Sequence, residues 1–225
     1  MTSRYDEIAS NLDRVREAVK SAATSAARKY EDITLIAVTK TFPVSDVHIL
    51  ASLDVHHYGE NRDSDAAPKA AAVPGTWHFQ GQIQSNKLKS IASWAHVIHS
   101  IDEARHIQAL DKVAIHRIGV FLQVSLDGAE GRGGAAPADL SALADSVLGS
   151  NHLDLMGLMA VAPLEVSSDQ AFEKLATIYG GFKALYPMAT SLSAGMSNDF
   201  ESAICHGATH IRVGSSILGS RPTPQ

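Results

Sequence analysis

The stretch Leu35-Ile36-Ala37-Val38-Thr39-Lys40-Thr41-Phe42-Pro43 joins a buried strand to a lysine at its end. Its continuous, partly β-branched apolar run is typical of a strand that is covered on both faces of a parallel sheet. Pro43 lacks a backbone N–H and therefore limits the strand. The pattern places Lys40 at the carboxyl end of that strand, where an ammonium is costly unless it is paired or neutralised.

Two interpretations of Lys40 follow from this position. A partly desolvated lysine can serve as an amine nucleophile in Schiff-base chemistry. Alternatively, the aliphatic stem follows the strand end and the charged head reaches solvent. The stretch alone leaves both open.

Composition limits the class of protein. The chain has 225 residues, of which 45% are hydrophobic and 19% charged, as expected for one globular domain spanning residues 1–225. A formal net charge of -5 without a Lys/Arg-rich block argues against a nucleic-acid partner. No apolar run reaches membrane-spanning length, and residues 1–30 lack the apolar core of a secretory signal. We therefore expect a cytoplasmic protein without membrane contact.

Segments of strand length alternate with segments of helical periodicity along the whole chain. The predicted strands are 33–39, 55–58, 76–79, 96–101, 118–124, 153–161, 190–194 and 209–213. The predicted helices are 4–29, 44–53, 63–73, 85–94, 103–114, 137–148, 169–185, 199–206 and a last turn at 215–218.

Strict strand–helix alternation implies a parallel sheet with right-handed crossovers. Eight such units predict a single (β/α)8 TIM-type barrel with an extra N-terminal helix, slightly shorter than the ~250 residues typical of the fold. A doubly wound open sheet is the alternative. In a barrel, the functional site lies at the carboxyl ends of the strands.

Two glycine- and serine-containing loops follow the last two predicted strands. They are Gly195-Met196-Ser197 and Gly214-Ser215-Ser216. Barrel phosphate sites are often built from these two loops, because glycines expose backbone N–H groups and a helix start favours an anion. The alternative is that Ser197 or Asn198 only caps the next helix and that Gly214 only turns the chain. Two such loops in adjacent positions favour phosphate binding.

Arg212 interrupts the apolar eighth strand between Ile211 and Val213. Strand alternation directs its side chain opposite to those of its neighbours, into the barrel mouth if they face the helices. A buried guanidinium needs acceptors, either an internal carboxylate such as Glu60 or an atom of a ligand. A Schiff-base lysine, a phosphate cradle and an inward arginine together suit pyridoxal 5'-phosphate.

The same residues carry a resemblance to a known family. The sequence resembles the pyridoxal-phosphate homeostasis proteins, single-domain relatives of the fold type III barrel of alanine racemase. The matching segments extend over nearly the whole chain: 37–40, 57–61, 77–81, 84–87, 157–159, 192–199 and 212–215. The chain departs from the family pattern at 62–65, at 82–83 and in the glycine-rich loop 128–134.

The resemblance implies a role for each matching position. It implies that Lys40 holds pyridoxal 5'-phosphate as an internal aldimine and that Arg212 contacts the ring nitrogen. It further implies that the phosphate is bound by Ser197, Gly214 and Ser215, and that the pocket is lined by Asn61 and Met159. No metal site is expected.

The resemblance also implies a function: a monomer that buffers, carries or delivers the cofactor, with apo forms of pyridoxal-phosphate enzymes as possible partners and without catalytic turnover. A low-activity amino-acid racemase is the alternative. It would need a second acid/base, for which Tyr58, His78 and Cys205 are candidates that we expect to be structural. A barrel that binds a sugar phosphate without using Lys40 is a third hypothesis.

Overall fold

The computed structural model describes residues 3–129 and 133–220, and it forms a closed parallel barrel. Each strand pairs with its neighbours in chain order, and the first strand pairs with the last. The strands are β1 Thr34–Val38, β2 His57–Glu60, β3 Thr76–Phe79, β4 Val97–Ile101, β5 Ile118–Gln123, β6 Leu153–Met159, β7 Ser191–Met196 and β8 His210–Val213. The predicted (β/α)8 barrel is confirmed, and the open sheet is excluded.

Helices follow the strands and cover the outside of the barrel. They are α1 Arg4–Ser25, α2 Val44–Ser52, α3 Asp63–Ala72, α4 Leu88–Trp94, α5 Ala104–Val113, α6 Leu140–Leu148, α7 Ser168–Leu185, α8 Phe200–Cys205 and α9 Ser215–Leu218. Short 3-10 turns occupy Tyr30–Asp32, Ser85–Lys87 and Pro137–Asp139. None of these helices in the described ranges has both the length and the apolar character needed to cross a bilayer.

Several of the predicted boundaries were wrong, among them the ends of the first helix, β2, β6 and β7. The first helix ends at Ser25, four residues early, because Ala27 adopts a left-handed backbone with φ +53° that the helix cannot include. β2 begins at His57 and continues through Glu60, two residues beyond the predicted strand. Glu60 is therefore a barrel-strand residue and is fully buried.

The N-terminal helix α1 packs on the barrel and contacts α9. Its apolar face buries Ile8 and Leu12 completely. Arg4 donates to the carbonyl of Leu218 at 2.9 Å, and Asn11 donates to that of Ile217 at 3.0 Å. The extra helix thus holds α9, which follows the last strand.

A longer-range contact fixes the start of α2. Pro43 occupies the N-cap position without a side-chain hydrogen bond. The Asp46 carboxylate is buried and accepts from the Arg4 guanidinium at 2.6 Å. The acid therefore ties α2 to α1 instead of capping its own helix.

Candidate functional site

A pocket of about 580 Å3 opens at the carboxyl ends of the strands, within the roughly 300–1,000 Å3 usual for small-molecule sites. All seven residues predicted for the site line it: Lys40, Asn61, Met159, Ser197, Arg212, Gly214 and Ser215. They come from the ends of five strands, β1, β2, β6, β7 and β8, and from the loops after them, which are far apart in sequence. The barrel topology is what brings them together.

Lys40 lies two residues after the end of β1 and lines the pocket while remaining partly exposed. The next residue, Thr41, has φ +69°. This left-handed conformation is strained for a β-branched residue, and such strain concentrates at functional sites. The sharp turn after Lys40 ends the strand at the pocket wall.

A buried ion pair supports the backbone beneath Lys40. The Lys69 ammonium lies 2.7 Å from a Glu60 carboxylate oxygen and donates to the Thr39 carbonyl at 2.9 Å. The Thr39 hydroxyl donates to the same Glu60 oxygen at 2.7 Å. Glu60 therefore pairs with Lys69 on α3, so the alternative of an ion pair between Glu60 and Arg212 is wrong.

The loops after β7 and β8 are joined through one hydroxyl. Ser197 Oγ accepts from the backbone N–H of Gly214 at 3.2 Å and of Ser216 at 3.4 Å. One hydroxyl thus joins the two loops, and Ser197, Gly214 and Ser215 line the pocket. Neither Ser197 nor Asn198 caps α8; its N-cap is Asp199, whose carboxylate accepts from the Met196 N–H at 2.5 Å.

Gly195 allows this loop to lie close to the helix that follows it. Its φ is +90°, and an added Cβ would lie 2.7 Å from the Phe200 Cα and from the Ala203 Cβ. Any side chain would therefore displace α8 and, with it, the Ser197 turn. We infer that the glycine sets the position of the loop.

Arg212 is buried in the barrel and lines the pocket, so the predicted inward orientation is confirmed. Its guanidinium donates to Ser193 Oγ at 2.6 Å and to the Ala160 carbonyl at 3.0 Å. Burial lowers the pKa of Arg212 to about 10, which leaves it cationic at pH 7. These two contacts use only part of its five N–H groups.

Behind Arg212 lies a row of polar side chains that sequence reasoning missed. We call it the histidine chain: Ser193, His99, His78 and His57, in that order from the arginine. The contacts are 2.9 Å from Ser193 Oγ to His99 Nδ1, 2.8 Å from His99 Nε2 to His78 Nδ1, and 3.0 Å from His78 Nε2 to His57 Nδ1. The histidines are spaced 21 residues apart, which matches one strand–helix unit each and was the available signal.

Burial disfavours the charged form of the histidines in the barrel. Desolvation, with smaller effects from neighbouring cationic groups, holds the pKa of His78 and of His99 well below the usual range. The pKa of the nearby His210 is lowered to about 4, again mainly by burial. All three side chains are therefore neutral at pH 7.

The three candidates for a second acid/base do not line the pocket. Tyr58 is fully buried and donates to the Val55 carbonyl, and His78 belongs to the histidine chain. Cys205 was expected to be structural but is exposed on α8.

A second cleft, of about 680 Å3, lies between α3 and α4 near the amino ends of the strands. Small apolar side chains of α3, two tryptophans and two histidines form its walls, and it contains none of the predicted site residues. The conserved position of barrel active sites at the opposite end favours the Lys40 pocket as the functional site.

The barrel and the pocket at its carboxyl end are matched by a known family of proteins. Residues 4–222 match the model of the alanine racemase N-terminal domain, and the chain belongs to that family. A Mycobacterium tuberculosis protein named pyridoxal phosphate homeostasis protein is 40% identical over 97% of this chain and 94% of its own. The Escherichia coli K12 protein of that name is 34% identical over 96% of this chain and 97% of its own.

A solved structure shares this fold at recognisable sequence identity. It is PipY from Synechococcus elongatus with pyridoxal phosphate bound. The TM-score is 0.78 at 30% identity, covering 90% of this chain and all of the other.

Proposed function

We propose that this protein binds pyridoxal 5'-phosphate in the Lys40 pocket and buffers, carries or delivers it. The observation that carries the proposal is the joint placement of Lys40, Ser197 and Arg212 around one pocket. Close relatives with the homeostasis name, and the PipY structure with pyridoxal phosphate, support it. Pyridoxal 5'-phosphate is favoured over a sugar phosphate, because a sugar phosphate would not require Lys40.

The residues present fit the chemical groups of the cofactor. When bound, pyridoxal 5'-phosphate supplies an aldehyde that reacts reversibly with a primary amine. Lys40 Nζ is the amine in the pocket lining. Ser197 and Gly214 line the pocket, and the hydroxyl of the first and the backbone N–H of the second would bind the phosphate.

The remaining pocket residues would hold the aromatic ring. Arg212 presents a fixed cation that would donate to the ring nitrogen. Asn61 and Met159 would line the ring from the ends of β2 and β6, Asn61 with a polar amide and Met159 with an adaptable apolar side chain. The phosphate end would include Ser215 at the start of α9.

Carriage is favoured over racemisation by the contents of the pocket. A racemase requires a second acid/base on the opposite face of the substrate carbon. Among the described residues that line this pocket, the ionisable ones are Lys40, Asp199 and Arg212. Arg212 stays cationic at pH 7, and Asp199 accepts from the Met196 N–H within its own turn. We infer a monomeric, cytoplasmic, single-domain carrier whose partners are apo forms of pyridoxal-phosphate enzymes.

The direct test is to trap the cofactor on its lysine. After incubation with pyridoxal 5'-phosphate and borohydride reduction, we expect peptide mass spectrometry to find a pyridoxyl group on Lys40. Lys40→Ala should lose the adduct, because no other amine lines the pocket in residues 3–129 and 133–220. Lys89→Ala, which changes an exposed lysine on α4, is the control and should retain it.

Labelling of the Lys40→Ala variant to the wild-type extent would refute the assignment of Lys40. No adduct on the wild-type protein, even with excess cofactor, would refute the proposed function.

Ser197→Ala is expected to weaken cofactor retention. The variant removes a hydroxyl donor from the predicted phosphate position and the acceptor that joins the two loops. The expected loss is about 1–3 kcal/mol, the usual effect of removing a partner from a charged group. Equilibrium dialysis of pyridoxal 5'-phosphate measures it, with Ser21→Ala on the exposed face of α1 as the control. Equal retention by both variants would place the phosphate elsewhere.

A further inference from the structure

The histidine chain connects the pocket to the opposite end of the barrel interior. It starts at Ser193, which contacts Arg212 in the pocket lining, and ends at the half-buried His57, the first residue of β2. Barrel interiors are normally filled by branched apolar side chains. Ser193, His78 and His99 are instead buried in this one, so their hydrogen bonds must be satisfied internally.

The arginine fixes the direction of the first hydrogen bond. A guanidinium has only donors, so Ser193 Oγ must accept from Arg212. The Ser193 hydroxyl proton then needs an acceptor of its own. Among the described residues, the other side-chain contact of this buried oxygen is His99 Nδ1, at 2.9 Å. Ser193 therefore donates to His99.

The same argument assigns the tautomer of each histidine. A neutral imidazole whose Nδ1 accepts carries its proton on Nε2. His99 Nε2 therefore donates to His78 Nδ1, and His78 Nε2 donates to His57 Nδ1. Each hydrogen bond is donated in the direction away from Arg212. The hydrogen bond that a ring accepts at Nδ1 places its proton on Nε2. The last N–H belongs to His57, which is partly exposed and can be solvated.

We propose that the histidine chain positions Arg212 for the pocket: its members are neutral, each donates away from the arginine, and together they hold the guanidinium as a fixed donor toward the ligand. The role of Arg212 toward the ligand rests on the function proposed above. The order of donors and acceptors along the histidine chain does not depend on a ligand.

A charged member would break this arrangement. A cationic His99 would carry a proton on both ring nitrogens, so its Nδ1–H would displace the Ser193 hydroxyl proton. It would also bring a positive charge next to Arg212, which itself helps to lower the pKa of His99. The stacked ring of Phe121, 4.6 Å from the His99 ring centroid, excludes water on one side. Neutrality and orientation are thus maintained together.

The first readout needs no cofactor. Ring 15N chemical shifts of the ligand-free protein at pH 7 should show His78 and His99 as neutral Nε2–H tautomers. In Ser193→Ala, His99 loses its donor at Nδ1, so a mixture of tautomers should appear at both rings. Ser191→Ala, at the start of the same strand, is the control and should keep the wild-type shifts. A proton on Nδ1 of wild-type His99, or a cationic ring, would overturn the proposal.

The second readout is pyridoxal 5'-phosphate binding. Ser193→Ala should bind it about 10-fold more weakly, as expected when a charged donor loses a fixing hydrogen bond. Ser193→Thr retains the hydroxyl and should restore both the affinity and the tautomers. Wild-type affinity in Ser193→Ala would overturn the positioning role. If the wild-type protein binds no pyridoxal phosphate, the proposed function fails, while the ring shifts still decide whether the chain is polarised.

Discussion

Acidification from pH 7 to pH 5 should strongly lower the free energy of unfolding of the ligand-free protein. His78, His99 and His210 are neutral in the folded barrel because burial lowers their pKa values, that of His210 to about 4. In the unfolded chain each regains a pKa near ~6.5 and binds a proton. The unfolded state then binds more protons, so stability falls as the pH decreases below ~6.5.

The expected size follows from linkage. Each such histidine contributes up to ~1.4 kcal/mol per pH unit between its unfolded and folded pKa values. The loss at pH 5 is therefore on the order of 2 kcal/mol per histidine. Three of them together reach a large fraction of the ~5–15 kcal/mol that stabilises a typical domain. Urea unfolding followed from pH 8 to pH 5 measures this slope.

Two variants separate the buried histidines from the rest. His99→Gln cannot take up a proton and should reduce the slope, whatever its stability at pH 8. His48→Gln changes an exposed histidine on α2 and should leave the slope as it is. A wild-type stability that stays constant down to pH 5 would contradict the neutral state of the barrel histidines.

Lys69→Met should destabilise the fold by about 3–5 kcal/mol, the usual cost of leaving one member of a buried ion pair unpaired. Glu60 is completely buried, and Lys69 is 7% exposed. Without Lys69, the Glu60 carboxylate loses its counter-ion and the Thr39 carbonyl loses a donor. Because Thr39 precedes Lys40, we expect cofactor retention to fall as well. Urea unfolding at pH 7.5 measures the stability change.

A double variant shows whether the unpaired Glu60 carboxylate causes the loss of stability. In Glu60→Gln/Lys69→Met no buried charge remains, so much of the lost stability should return. Lys20→Met breaks a surface pair with Glu17 and should change stability little, since exposed ion pairs contribute little. If Lys69→Met were as stable as Lys20→Met, the buried pair would have no structural role.

The sequence was sufficient to predict the barrel and the outline of its pocket. Strict alternation of strands and helices fixes the topology, and strand ends in such a fold converge on one face. Lys40, Ser197 and Arg212 could therefore be placed near one another without coordinates. Their grouping in the pocket lining agrees with that placement.

The partners of the buried charges could not be predicted in the same way. Glu60 and Arg212 both lie in barrel strands, and only the three-dimensional structure shows that Glu60 pairs with Lys69 on α3 while Arg212 donates to Ser193. Polar contacts inside a barrel depend on strand stagger, which a one-residue shift in β2 is enough to change. The histidine chain was missed for this reason, although its regular spacing was visible.

The pairing of β1 with β8 has a consequence for protein synthesis. Lys40 comes from the first strand and Arg212 from the last, and Ile36 lies opposite Arg212 in the closed sheet. A ribosome-bound chain that lacks β8 has the lysine but no guanidinium and no second phosphate loop. Unfinished chains should therefore not sequester pyridoxal phosphate, and binding capacity should appear only as each barrel is completed.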